Sequence, residues 1–252
     1  SASDNGNFSY LWGGGSGNGS ADVRTGNTLK VMASGSYYRG MANFEKLQFD
    51  LNANIANGST MLSIGPAGVT GAFDWSNISV TGGEAWATGT PGAKRVILYT
   101  GAGMTLNNYD FTASRGTSGN VEYGLTTSAG AIIAPSVGIS QIYFDVNQFK
   151  NGTPTYTTSN PPSGELSGGR STLGNDVHHN TLTIDGVNIN SNAYGGYNLS
   201  LTGNANNNTL ILKNLTSGSG SAMYGGYSQN GNAINNTVVL NGASDNGYFS
   251  YL

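Results

Sequence analysis

The sequence predicts an all-β chain folded as a right-handed parallel β-helix (a β-solenoid) with coils of about 28 residues, cut from a longer array. Three observations carry the prediction. Charged residues make up 9% of the chain against a globular norm of about 25%; Gly is 40 and Asn 32 of 252 residues, with only four Glu and five Lys. Strong helix formers are therefore scarce, and Thr, Val, Ile and Tyr alternate in short runs between Gly, Asn and Ser clusters. A segment recurs at a fixed spacing of 28: NTLTIDG from Asn180, NTLILKN from Asn208 and NTVVLNG from Asn236. Finally, ASDNGNFSYL (residues 2–11) and ASDNGYFSYL (residues 243–252) match at nine of ten positions.

Residues 1–31 read as partial coils of the same repeat. WGGGSGNGSA (residues 12–21) aligns with YGGYSQNGNA (residues 224–233), and NTLKV from Asn27 places Leu29 and Val31 where the repeat has its apolar columns. The matching ends fit cuts through an array, in which the residue after Leu252 is expected to be aromatic and followed by glycines. Residues 32–175 lack the clear period. They still offer strands at KLQFDL from Lys46, TMLSI from Thr60, NISV from Asn77, KRVILYT from Lys94, VEYGLTT from Val121 and SQIYFDV from Ser140. This stretch is expected to be irregular coils or an inserted β subdomain. A Pro/Gly/Ser-rich loop is expected near residues 154–169, where proline cannot donate ladder hydrogen bonds.

Residues 176–252 carry the regular repeat, and alternation assigns its faces because successive strand side chains point to opposite sides. Leu182, Leu210 and Val238 form one apolar column and Ile184, Leu212 and Leu240 a second. Val187, Leu215 and Ala243 recur beyond a bend occupied by Gly186, Asn214 and Gly242, residues that tolerate positive φ. Asn180, Asn208 and Asn236 are placed to form an amide ladder. YGGY recurs at residues 194–197 and 224–227, spaced by 30, so turns absorb the difference while strand phase is kept.

Composition also excludes partners. An apolar fraction of 37% with a net charge of −3 argues for order over disorder. Apart from Lys94-Arg95 there is no basic cluster to bind a nucleic-acid backbone. No apolar run approaches the length of a membrane-spanning helix, so direct membrane insertion of this segment is not expected. Absence of cysteine removes disulfides and thiolate metal sites.

YGGYSQNGNAINNTVVLNG, together with NFEKLQFDLNANIANGSTMLSI (residues 43–64), resembles passenger-domain segments of large bacterial autotransporters. The resemblance covers residues 1–31, 43–64 and 178–252. It implies a β-helical passenger exported through the outer membrane and displayed at the bacterial cell surface or released. It also implies an adhesin, or an adhesin stalk, whose partner is a host or bacterial surface protein or glycan. Self-association through end coils or solenoid faces is a further expectation, and a second alternative is a purely structural repeat unit that stacks end to end into a fibre.

Little catalytic chemistry is visible, and no catalytic residue, cofactor site or metal site is predicted. His178-His179 are adjacent; in a strand they would face opposite ways and could not easily share one ion. GGSGNGSAD (residues 14–22) resembles a calcium nonapeptide, but Asn18 replaces its Asp and Ser20 its large apolar residue. Asp74, Glu84, Lys94, Arg95, Asp110, Arg115 and Glu122 show no repeated spacing; they support only an alternative, a carbohydrate-active β-helix lyase or hydrolase. The aromatics Trp12, Tyr194, Tyr197, Tyr224 and Tyr227, joined by Phe8, Tyr10, Phe249 and Tyr251, are the candidate binding strip; packing between coils is their simpler use.

Overall fold

Gly and Asn break the chain into strands too short to stand alone, and stacking one coil on the next supplies the missing partner. A computed structural model describes residues 10–70, 73–88, 94–101, 106, 109–128, 141–162, 164–215, 221–242 and 249–251. The chain is nearly all β, and its parallel stacked sheets form a β-solenoid with roughly 28 residues per coil. It divides into two compact units: residues 1–116 with 123–146, and residues 117–122 with 147–252.

In the first unit, Leu11–Trp12, Ser36–Ala42, Leu62–Thr70 and Lys94–Gly101 stack in parallel. Thr28–Val31, Lys46–Asp50 and Ile78–Thr81 make a second parallel stack, with Leu29, Leu47 and Ile78 in one column and Val31, Phe49 and Val80 in the next. Leu47 and Phe49 are fully buried, as their column positions require. The spacing is uneven: Leu29 meets Leu47 after 18 residues, but Leu47 meets Ile78 only after 31. Two features depart from plain coiling. Gln141–Gln148 runs antiparallel to Lys94–Gly101. A short helix, Gly83–Thr88, buries Trp86, whose indole N–H donates to the Ile55 carbonyl at 2.9 Å.

The second unit is regular, and among the described residues every pairing of its four stacks is parallel. One stack contains Thr155–Tyr156, Thr181–Asp185, Thr209–Lys213 and Thr237–Asn241. A second contains Leu166–Ser167, Ala193–Tyr194, Ser221–Tyr224 and Phe249–Tyr251. Arg170–Ser171, Tyr197–Asn198 and Tyr227–Ser228 form the third, and Val177–His178 with Ala205–Asn206 the fourth. Leu182 pairs with Leu210 and Leu210 with Val238; Ile184, Leu212 and Leu240 follow in the same register. The core between the stacks comprises Leu182, Leu210, Ile184 and Leu212 of these columns with Val187, Ile189, Leu215, Leu166, Ala193 and Met223. Ala243, expected to continue the Val187 and Leu215 column, lies outside the described residues.

The corners explain the glycines and asparagines. Gly186, Asn214 and Gly242 have φ of 67°, 50° and 69°, the left-handed conformation expected of that bend. A second left-handed corner recurs at Asn151, His179, Asn207 and Asn235, at 55–56° and at intervals of 28. That series extends the regular repeat back to residue 151. Gly152 stands where the next coils have asparagine, Thr155–Tyr156 pairs with Thr183 and Ile184, and Leu166–Ser167 pairs with Ala193 and Tyr194. The Pro-rich stretch near residues 154–169 thus carries strand at both ends, around a bridge between Thr157 and Asn160. Pro154 still accepts through its carbonyl from the Thr183 N–H, and its missing N–H leaves no ladder bond broken on that edge.

Candidate binding surface at the tyrosine corner

At the Gly195-Gly196 corner two constraints meet. A side chain on Gly195 would lie 2.3 Å from the Gly225 carbonyl oxygen of the next coil, and one on Gly196 would lie 2.4 Å from the Asn208 amide of its own coil. Gly168-Gly169 and Gly225-Gly226 repeat the crowding against Asn180 and Asn236. The first glycine lets backbones approach, and the second leaves room for the amide ladder. In that ladder Asn180 Nδ2 donates to Asn208 Oδ1 at 2.9 Å and Asn208 Nδ2 to Asn236 Oδ1 at 3.1 Å. Each Oδ1 also accepts the preceding coil's backbone N–H, at 3.1 and 2.9 Å. In the first unit Asn27 is likewise crowded against Gly14, but its amide donates to the Val23 and Asn43 carbonyls.

Outside this corner the tyrosines converge. Ala193 and Met223 point into the core, so alternation turns Tyr194 and Tyr224 outward. Tyr197 and Tyr227 follow the Gly-Gly bend. Tyr194 and Tyr197 stack with centroids 4.0 Å apart and planes 1° from parallel, so the bend is concave on that side. Tyr194 also stacks on Tyr224 at 5.2 Å, while Tyr227 meets Tyr194, Tyr197 and Tyr224 edge-on at 5.5–5.8 Å. Their mutual contact leaves Tyr194 only 4% and Tyr197 9% exposed, whereas Tyr224 and Tyr227 are half-buried. Only the last pair keeps appreciable ring surface toward solvent.

Polar groups edge the stack. Arg170 occupies the place of Tyr197 one coil earlier, and its Nη1 lies 3.8 Å from Glu165 Oε1. Its buried Nε has no hydrogen-bond partner. Burial pushes the Glu165 carboxyl up, against the opposing pull of Arg170 and of the Tyr197 hydroxyl. Tyr197 is pushed well above the usual phenol range by burial and by the negative charge of Glu165. Asn192 Nδ2 donates to the Tyr194 hydroxyl at 3.0 Å, and its Oδ1 accepts the Ala222 N–H at 2.9 Å. Glu165, Arg170 and Asn192 escaped the sequence reading. LSGGR (residues 166–170) aligned on AYGGY (residues 193–197) at a spacing of 27 is the signal that finds Arg170.

The other sequence candidates lie elsewhere. Trp12 belongs to the first unit, is 61% exposed and packs against Tyr10 with ring centroids 5.7 Å apart. Phe8 lies outside the described residues, as do the side chains of Phe249 and Tyr251. Asn18 Oδ1 in the glycine-rich segment is engaged by the Ser20 N–H and hydroxyl. Asp74 accepts from the Ser76 N–H, Asp110 from the Thr112 N–H, and Glu84 bonds the Tyr123 hydroxyl. Lys94 Nζ donates to the Trp86 carbonyl at 2.7 Å, and Arg95 grips buried Asp145 at 2.7 and 3.0 Å. Arg115 has its Nε buried without a partner.

Glu122 sits in the second unit, fully buried. It accepts from Ser171 Oγ, the Thr172 and Leu173 N–H groups, Asn147 Nδ2 and Asn175 Nδ2. Burial pushes its carboxyl up, and these donors pull the other way. It ties several strands' ends together.

His178 and His179 correct the sequence argument outright. His179 has φ of 56°, so strand alternation fails there, and the two Nδ1 atoms lie 2.8 Å apart. No group of three or more His, Cys, Asp or Glu among the described residues could hold a metal ion, and no described helix is long and apolar enough to cross a membrane. Fold and corner together define a parallel β-solenoid repeat protein. Neither a protein-family model, nor a curated protein, nor a solved structure matches the chain.

Proposed function

We propose that the chain is a non-enzymatic, surface-displayed β-solenoid, an adhesin or adhesin stalk of the autotransporter-passenger kind that its GGYS-type repeats resemble, exported to the bacterial surface or released. One observation carries the reading: the acids and rings that could serve chemistry are tied into holding coils together. Glu122 closes a buried knot of five donors, Asp145 holds Arg95, and Tyr194 and Tyr197 cover each other. Extended sheet faces remain, such as Thr181, Thr209 and Thr237 beside Thr183, Ile211 and Val239, all in register. Weak contacts repeated along such a face add up without a pocket. Tyr224 and Tyr227, packed against Tyr194 and Tyr197 of the preceding coil, are the patch best suited to a surface protein or glycan.

The test is to present the purified chain to a panel of glycans, matrix proteins and whole cells, and to assay the same polysaccharides for cleavage. Saturable binding without turnover, reduced at least fivefold by Tyr224→Ala with Tyr227→Ala, is the expected result. Release of reducing or unsaturated sugar ends would replace the adhesin by the lyase or hydrolase.

A second reading, end-to-end assembly into a fibre, is favoured by the exposure of the last described tier. Val238 is 36% and Leu240 53% exposed, although the same columns are fully buried at Leu182, Leu210, Ile184 and Leu212.

A further inference from the structure

We propose that His178 and His179 together form a surface chelate for a transition-metal ion of square-planar or tetragonal preference, with Cu(II) the preferred ion. The left-handed backbone at His179 turns its ring back toward its neighbour, giving an Nδ1 to Nδ1 separation of 2.8 Å with the ring planes 86° apart. Two cis nitrogens bound at about 2.0 Å to a square-planar ion are themselves about 2.8 Å apart, whereas a tetrahedral ion needs about 3.3 Å. The observed gap matches the first geometry before any ion arrives. Of the ions that accept it, Cu(II) has the highest affinity for nitrogen donors.

In the metal-free protein this separation is a hydrogen bond between the two Nδ1 atoms, one ring donating and the other accepting. On binding, the donor ring carries its proton on Nε2 instead, and both Nδ1 lone pairs face the ion. The His178 ring is held edge-on against Phe149, with ring centroids 6.2 Å apart. His179 is exposed, so water can enter and complete the coordination. The pair is peculiar to one coil. The equivalent positions are Asn206 and Asn207 in the next coil, and Lys150 and Asn151 in the preceding one.

That repeat supplies variants whose fold the protein already demonstrates, His178→Asn and His179→Asn. Titrating the full chain with Cu(II) alone, followed by visible absorption and electron paramagnetic resonance, is expected to show one ion per chain with nitrogen hyperfine structure. Each single variant is expected to weaken binding at least tenfold, the double variant to abolish the nitrogen signal, and Zn(II) to bind at least tenfold more weakly than Cu(II). Thermal unfolding of the variants should match the parent, separating loss of ligand from loss of fold. Undiminished Cu(II) binding by the double variant, no nitrogen-ligated signal in the parent, or Zn(II) binding as tight as Cu(II) would overturn the proposal.

Discussion

Asn208 is fully buried, and its one amide answers four neighbours: it accepts from Asn180 N–H and Nδ2 and donates to Asn236 Oδ1 and the Val177 carbonyl. Removing it strands the buried donors of Asn180 and the buried Val177 carbonyl, each worth about 1–3 kcal/mol when left unmade. Asn208→Ala is therefore expected to destabilise the second unit by about 3 kcal/mol in urea unfolding; a loss below about 1 kcal/mol would show that water replaces the ladder. Asp22 acts at the same scale but on the surface. Hydrogen bonds from the Thr25 side chain, then from the Thr25 and Arg24 N–H groups, lower its pKa from 3.8 to about 2. A depressed carboxyl contributes stability that is complete above its unfolded value and disappears as pH falls through the folded one. The Asp22 contribution is thus full above about pH 4 and lost toward pH 2. A carboxyl carbon titration by NMR should give its midpoint near 2, and one near 3.8 would mean that the turn is open in solution.

At the scale of elements, the Gly-Gly corner and the amide ladder are one device, because the second glycine makes room for the asparagine. Gly196→Ala is expected to cost about 2–3 kcal/mol through overpacking. Combining it with Asn208→Gly, the residue that Gly152 already supplies at this position, should recover at least 1 kcal/mol relative to additivity. Strictly additive losses, read from a double-mutant cycle by denaturant unfolding, would show that the two positions are independent. The element scale also marks what could be read in advance. The columns, the left-handed bend at Gly186 and Asn214, and the amide ladder were all legible, because in-register stacking forces chemically similar residues onto equal spacing. The coil beginning at Asn151 was not. Glycine replaces the ladder asparagine, Arg170 replaces the tyrosine and the spacing slips to 27, so at this corner the sequence keeps only Gly168-Gly169. The helix Gly83–Thr88 was hidden too, its six residues being too few to show a helical period.

For the whole molecule, stability in stacked coils is a sum of tiers and of contacts between neighbouring tiers. The apolar columns are sealed at Leu210 and Leu212 but exposed at Val238 and Leu240. If that open tier drives assembly, the chain should sediment in a concentration-dependent manner. Val238→Lys with Leu240→Lys should then return it to a single species while changing stability by less than about 1 kcal/mol, as expected of exposed positions. Unchanged sedimentation of the variant would remove the fibre reading and leave adhesion standing.

By itself the sequence determined the parallel coil, its period of roughly 28 residues, the inward faces and the corners. Each of these follows from side-chain size and φ tolerance repeated at a fixed spacing, which a linear chain displays directly. Only the tertiary structure decided which groups became neighbours across unlike spacings. It set Tyr194 against Tyr197 across a concave bend, and it put Glu122 in contact with Ser171 and Asn175, some fifty residues away. It also turned His179 toward His178 through a single left-handed residue. Such meetings depend on where the backbone bends, and a bend is set by the coil above and below it as much as by the residues that make it.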